Sequence, residues 1–153
     1  MNPCRCGHLG DAARECPRAP RCGEEYQNRI SGPLLDRIDL TVAVQPVSPA
    51  ELSRAAAGES SALVAARIAA ARARQRARAV TLNAEAEPGA IDLSAEARGF
   101  AEQAAERLKL SARGFTRVLR VGRSIADLAA AETVQRGHIA EALAFRHRIP
   151  GRG

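Results

Sequence analysis

Apolar residues recur along this chain at two spacings, and the change between them divides it. The first 30 residues are rich in Cys, Gly, Pro and Arg and show no apolar periodicity, which predicts loop unless something crosslinks them. In the run Ile30-Ser31-Gly32-Pro33-Leu34-Leu35-Asp36-Arg37, Pro33 suits the first turn of a short helix reaching about Arg37. From Asp39 the period becomes two. Leu40, Val42 and Val44 alternate with Thr41, Ala43 and Gln45, a strand pattern that Pro46 ends. Residues 47–58 are rich in Ser, Pro and Gly and read as a linker, with Ser48 placed to cap a short turn from Pro49.

Beyond residue 58 the spacing is helical throughout. A helix is predicted from Ser60 to Ala79, with Leu63, Val64, Ile68 and Ala71 as its apolar stripe and Arg67, Arg72, Arg74, Arg76 and Arg78 over the remaining surface. Asn83, Pro88 and Gly89 break the chain between Thr81 and Asp92. Ser94 caps the next helix, with Ala97 near its start and Leu108 near its end. Ser111 opens another, carrying Phe115, Val118, Leu119, Val121, Ile125 and Leu128 inward and ending near Ala130. After a Thr133-Val134 turn, a last helix from about Gln135 to Arg146 buries Ile139, Leu143 and Phe145. The fold class is mainly α. A lone strand leaves both edges unpaired, so the N-terminal third reads as the end of a larger αβ domain.

Aromatic residues make up only 3% of the chain although 46% is hydrophobic, which argues against a β-sandwich or barrel and for helices packed through small side chains. The net charge is +6, and Lys109 is the only lysine, so the cations are planar forks suited to phosphate oxygens. Nucleotide or nucleic acid leads as partner; arginines on a solvated face are the plain alternative. No stretch approaches the roughly 20 apolar residues of a membrane span, and Met1 is followed by Asn-Pro-Cys rather than a signal segment, so a cytoplasmic location is expected.

In a reducing compartment, four cysteines within 22 residues suit metal better than disulfides. Cys4, Cys6, Cys16 and Cys22 could form a tetrahedral zinc site that crosslinks a loop too polar to fold on its own, with His8 as substitute ligand. The alternative is a set of reduced thiols.

Asn2-Pro3-Cys4-Arg5-Cys6-Gly7, followed by Ile30 to Asp39, resembles the segment after the fourth core strand in the ComM/YifB family, magnesium-chelatase-like AAA+ ATPases. Ser111-Ala112-Arg113-Gly114-Phe115 and Arg120-Val121-Gly122-Arg123-Ser124-Ile125-Ala126-Asp127-Leu128 resemble that family's C-terminal helical lid. The matches keep the family's order and span nearly the whole chain. The resemblance implies a core remnant over 1–46, a linker over 47–58, a helical lid domain over 59–148 and a disordered tail over 149–153. It also implies clustered cysteines, although the family's second pair is a close Cys-x-Cys, whereas here Arg18 stands at the partner's place and Cys22 lies further on.

The same resemblance implies roles. Asn2 matches sensor 1, which orients the attacking water near the γ-phosphate; without the downstream motifs, Asn-Pro reads as a turn. Arg37 matches the arginine finger, which reaches the nucleotide of a neighbouring subunit; its plainer reading is an ion pair with Asp36 or Asp39. Arg113 matches sensor 2, where a helix N-terminus adds its own partial positive charge. Arg117, Arg120 and Arg123 recur near one helical face, each more simply read as solvated. The partners so implied are ATP with magnesium, neighbouring subunits in a hexameric ring, and DNA through surfaces such as the helix from Ser60. These 153 residues hold no Gly-x-x-x-x-Gly-Lys-Ser/Thr loop and no apolar strand ending in an Asp-Glu pair, so the chain alone is not expected to hydrolyse ATP. Two other readings stay open: a freestanding zinc-containing helical protein that binds nucleic acid, and an inactive gene remnant.

Overall fold

The computed structural model describes residues 2, 4–9, 14, 16–44, 47–54, 58–78 and 82–146. They fall into two compact units, one within residues 1–54 and the other over Ala55–Arg146.

Among the described residues, the first unit has no aliphatic core of ordinary size. Cys4, Cys16 and Cys22 are its buried apolar side chains, with Leu9 and Ala19 packed against them. Cys22 arrives on α1 (Arg21–Gln27), a helix that the Cys- and Pro-rich sequence did not announce. α2 (Gly32–Leu35) is the expected short helix: Pro33 lies in its first turn, and Ser31 Oγ accepts from the Leu34 N–H at 3.3 Å. α3 (Pro49–Arg54) opens on a reciprocal cap in which Ser48 Oγ accepts from the Glu51 N–H while Glu51 Oε2 accepts from the Ser48 N–H.

Between α2 and α3, the alternating residues form no ladder. Residues 38–44 have irregular backbone, and Leu40, Val42 and Val44 are 51%, 66% and 89% exposed. The period-two pattern is present without partner strands among the described residues, and an unpaired strand is not stable by itself. Gln45, the last residue of that pattern, lies outside the described residues.

The second unit contains α4 (Ser61–Arg78), α5 (Ala95–Arg107), α6 (Ala112–Leu128) and α7 (Arg136–Ala144), with a short 3-10 turn at Pro88–Ala90. Its starts follow local capping: Ser60, Ser94 and Ser111 hydroxyls accept from the N–H groups of Leu63, Ala97 and Gly114. α6 is the central element, touched by α4, α5 and α7. The core comprises Ile91, Leu93, Ala97, Ala101, Val118, Leu119, Ala126, Val134, Ile139 and Ala142. Full burial of a side chain the size of Val118 or Ile139 contributes about 1.5–3 kcal/mol. A parallel bridge between Leu93 and Val134 ties the entry of α5 to that of α7. A Cβ at Gly122 would stand 2.9 Å from Ile139 Cδ1, so any side chain there requires the buried Ile139 to shift.

Several predicted core positions are on the surface instead. Leu63 and Ile68 are 63% and 49% exposed, because only the C-terminal half of α4 packs and its buried residues are Ala71 and Gln75. Leu128, at the end of α6, is half exposed. Among the described residues no helix is long and apolar enough to cross a membrane.

Candidate functional site

Three of the four cysteines, Cys4, Cys6 and Cys22, are brought together. Cys4 and Cys6 sulfurs are 3.1 Å apart, and the sulfurs of Cys4, Cys6 and Cys22 all lie within 4.8 Å of one another. Cys16 is buried nearby and interacts electrostatically with Cys6 and Cys22, but its sulfur lies outside that trio. The turn Cys4-Arg5-Cys6-Gly7 closes with the Gly7 N–H on the Cys4 carbonyl at 3.1 Å, and Gly7 sits at φ +83°, a conformation that favours glycine.

Backbone amides also favour the thiolates: those of Leu9, Gly7 and Cys6 act on Cys4, that of His8 on Cys6, and that of Arg18 on Cys16. Burial pushes the Cys4 thiol up, but the Cys6 thiol and then the backbone amides outweigh it and hold the group down at about 7. For Cys6 the His8 N–H lowers the value, yet the adjoining Cys4 and Cys16 sulfurs and burial prevail, and it is pushed up to about 12. The Arg18 N–H leads in holding Cys16 below its ordinary value. Such a nest stabilises some thiolate charge, while the sulfurs resist ionising together without a cation between them.

Tetrahedral thiolates at Zn–S distances of about 2.3 Å lie about 3.8 Å apart, within the span of this cluster. The donor set and spacing therefore fit zinc. The gathered ligand atoms of Cys4, Cys6 and Cys22 do not include the His8 ring. Cys22 reaches Cys4 and Cys6 from the first turn of α1.

The other candidates are placed as follows. Asn2 is exposed, and its Nδ2 lies 3.9 Å from where a Cβ on Gly7 would stand, so it neighbours the cysteine turn. Arg37 is exposed, two residues past α2; among the described residues its guanidinium pairs with neither Asp36 nor Asp39. Arg113 is exposed in the first turn of α6. Asn2 and Arg37 belong to the first unit and Arg113 to the second.

Arg123 is not on a solvated face. It is 2% exposed and donates to the carbonyls of Ala131 and Glu132 and to Asp127 Oδ1 at 3.0 Å. Asp127, also 2% exposed, accepts in addition from Arg78 at 2.7 and 2.8 Å and from Asn83 at 2.7 Å. Burial raises the Asp127 carboxyl, but the hydrogen bonds from Arg78 and Asn83 and the two guanidinium charges outweigh it and hold it below the usual carboxylate range. Burial pushes Arg123 down against the pull of the Asp127 charge.

Arg74 donates to the Asp127 carbonyl, Arg67 pairs with Glu59, and Arg120 donates to the Ala86 carbonyl. Much of the expected basic surface is therefore engaged within the unit. The Asp127 centre was missed because sequence separates its members by up to 49 residues; the Arg123/Asp127 spacing of one helical turn was its only local trace.

Comparison with known proteins follows the same division. Residues 58–146 match the family described as magnesium chelatase, subunit ChlI C-terminal, and residues 1–52 match that described as magnesium chelatase, subunit ChlI. The chain is 38% identical over 151 residues to the uncharacterized protein YifB of Salmonella typhimurium, covering 95% of this chain and 29% of the relative. It is 36% identical over 155 residues to the competence protein ComM of Haemophilus influenzae, covering 97% and 30%. An uncharacterized protein of Mycobacterium tuberculosis is 37% identical over 153 residues, with 95% and 30% covered. The chain thus spans less than a third of the length of the curated relatives it matches. A helical unit around α6, preceded by a cysteine-centred unit, and family matches that together take in most of the chain, lead to one conclusion: this chain belongs to the magnesium-chelatase-like ComM/YifB family of AAA+ proteins.

Proposed function

We propose that this chain supplies the trans-acting arginine, the sensors and the lid of a ring-forming ATPase, hexameric in this reading, that couples ATP hydrolysis to DNA remodelling. The observation that carries the reading is the state of Arg37. A finger must face solvent in its own subunit and keep its charge unneutralised, so that the fork is available to a phosphate held elsewhere. Arg37 is exposed, follows a turn stiffened by the Ser31 cap and Pro33, and pairs with neither adjacent aspartate.

In this reading Arg37 stabilises charge developing on the phosphoryl group bound by a neighbouring subunit. Asn2 holds the attacking water through its side-chain amide. Arg113 reads the terminal phosphate from the first turn of α6, where unsatisfied N–H groups favour an anion. The phosphate-cradling loop and the magnesium-holding acids of such a site are not among these 153 residues, so ATP with magnesium is held by the remainder of the complete protein. Cys4, Cys6, Cys16 and Cys22 would hold zinc as a crosslink where, among the described residues, cysteines rather than aliphatic side chains are buried in the first unit. DNA as partner is supported by the basic balance of the chain and by its likeness to a competence protein.

The test is Arg37→Ala in the complete protein. ATP hydrolysis should fall by about 10³-fold or more with ATP binding retained. Mixing this variant with a subunit defective in its own Walker loop should restore part of the activity. Retained turnover, or mixing that restores nothing, removes the trans role.

A further inference from the structure

A groove of about 340 Å³ lies in the second unit, lined by none of Asn2, Arg37 and Arg113. Its aliphatic lining comes from Ile68 and Ala71 of α4, Leu82 and Ala84 of the segment that follows, and Leu128 at the end of α6. Ile68, Leu82 and Leu128 are 49%, 47% and 46% exposed, so large apolar side chains from three segments meet water along one opening.

The polar part of the lining uses its hydrogen-bonding groups unevenly. Asn83 donates to Ser124 and to Asp127, and Arg78 donates to both Asn83 and Asp127. Gln75 is only 6% exposed; its Oε1 accepts from Arg72 at 3.1 Å, and among the described residues its Nε2 donates to nothing. Arg72 is exposed, and that bond is the one its guanidinium makes among the described residues, which leaves most of its N–H groups unused. The groups left over at the groove are therefore donors, whereas its carboxylate, Asp127, is taken up by Arg78, Arg123 and Asn83.

Such a lining asks for an aliphatic side chain with a carboxylate beside it. A small aliphatic acid satisfies the chemistry but would stay open to water on one side, whereas small-ligand sites enclose most of their ligand. Among the described residues no aromatic ring lines the groove, so a nucleobase finds no stacking platform. A peptide needs neither enclosure nor stacking, because the rest of its own chain covers what the groove leaves open. We propose that the groove docks an acidic peptide segment, with a Leu- or Ile-type anchor between Ile68, Leu82 and Leu128 and a neighbouring carboxylate on Gln75 Nε2 and Arg72. A basic segment is disfavoured, since Arg72 repels it and Asp127 has its oxygens occupied.

The experiment titrates the isotope-labelled full chain with short alanine-based peptides, acetylated and amidated, and follows amide signals by NMR. One peptide carries two leucines a helical turn apart with glutamates beside them; a second has lysines for the glutamates, and a third has alanines for the leucines. The leucine–glutamate peptide should shift the Gln75 side-chain amide and the backbone amides of Asn83 and Ala84 at millimolar concentration. The other two should bind about tenfold more weakly or less. Ile68→Ala should weaken the leucine–glutamate peptide about fivefold and Arg72→Ala about threefold, against under about twofold for Arg98→Ala, an exposed arginine on α5 outside the groove. Ile68 and Arg72 are surface positions, and unmoved signals of the buried Val118 and Leu119 verify that each variant keeps its fold.

The proposal is overturned if no peptide shifts the Gln75 amide, if the lysine peptide binds as well as the glutamate one, or if Ile68→Ala or Arg72→Ala binds like Arg98→Ala. Octanoate binding as tightly as the leucine–glutamate peptide would make this a small-acid site. Shifts from oligothymidylate and from no peptide would make it a nucleic-acid contact, and either result ends the peptide assignment.

Discussion

Asp127→Ala removes the acceptor on which the second unit's polar centre converges. The wild-type carboxylate takes hydrogen bonds from Arg78 to both oxygens, from Arg123 to Oδ1 and from Asn83 to Oδ2. The variant leaves Arg123 charged and 2% exposed, holding only the two carbonyls of Ala131 and Glu132. Breaking a buried pair from one side costs about 3–5 kcal/mol, mostly as the penalty of the charge left behind. The Arg78 contribution is discounted because its side chain is 35% exposed and water can take over part of its role.

Small domains have only about 5–15 kcal/mol in total, and each kcal/mol moves Tm by about 4–8 °C at this size. Thermal and urea unfolding of the full chain, followed by far-ultraviolet dichroism, should show a Tm lowered by at least about 12 °C. The pH dependence carries a sign as well. The folded pKa of Asp127 is depressed, so its stabilisation is complete above the unfolded value of about 3.9 and is lost as pH falls through the lower folded value. The stability difference between wild type and Asp127→Ala should therefore narrow below about pH 4. A loss under about 1 kcal/mol at neutral pH, or a difference that widens in acid, would refute the account of a charge-satisfied buried centre.

Two further outcomes are expected. Gly122→Ala should destabilise the unit by about 1 kcal/mol or more although alanine is the better helix former, because the added methyl meets Ile139 Cδ1 at 2.9 Å; an equal or higher urea midpoint would show that the α6–α7 contact yields. Protein purified under reducing conditions should carry about one zinc per chain by elemental analysis, and Cys22→Ser should reduce it severalfold. A zinc content unaffected by Cys22→Ser would remove the fourth ligand from α1.

Helix starts were legible because capping is local: Ser31, Ser48, Ser60, Ser94 and Ser111 each bond an N–H three residues on, and the sequence supplies both partners. The helical class and the inward positions Val118, Leu119 and Ile139 were likewise determined by periodicity alone. Tertiary structure decided what periodicity cannot carry. Leu63 and Ile68 obey a helical stripe yet stay exposed, since whether a stripe is covered depends on what lies opposite it. Arg123 looked like one more surface cation until Asp127 and two carbonyls from the following turn closed around it. The cysteines announced a metal-like composition, but α1 decided that Cys22 lies beside Cys4 and Cys6. Residues 40–44 alternate as a strand should, and alternation specifies a face without supplying the neighbouring backbone that makes a ladder. Local bonds are written along the chain, whereas desolvation depends on groups brought close by folding, and that is why the buried polar centre emerges only in three dimensions.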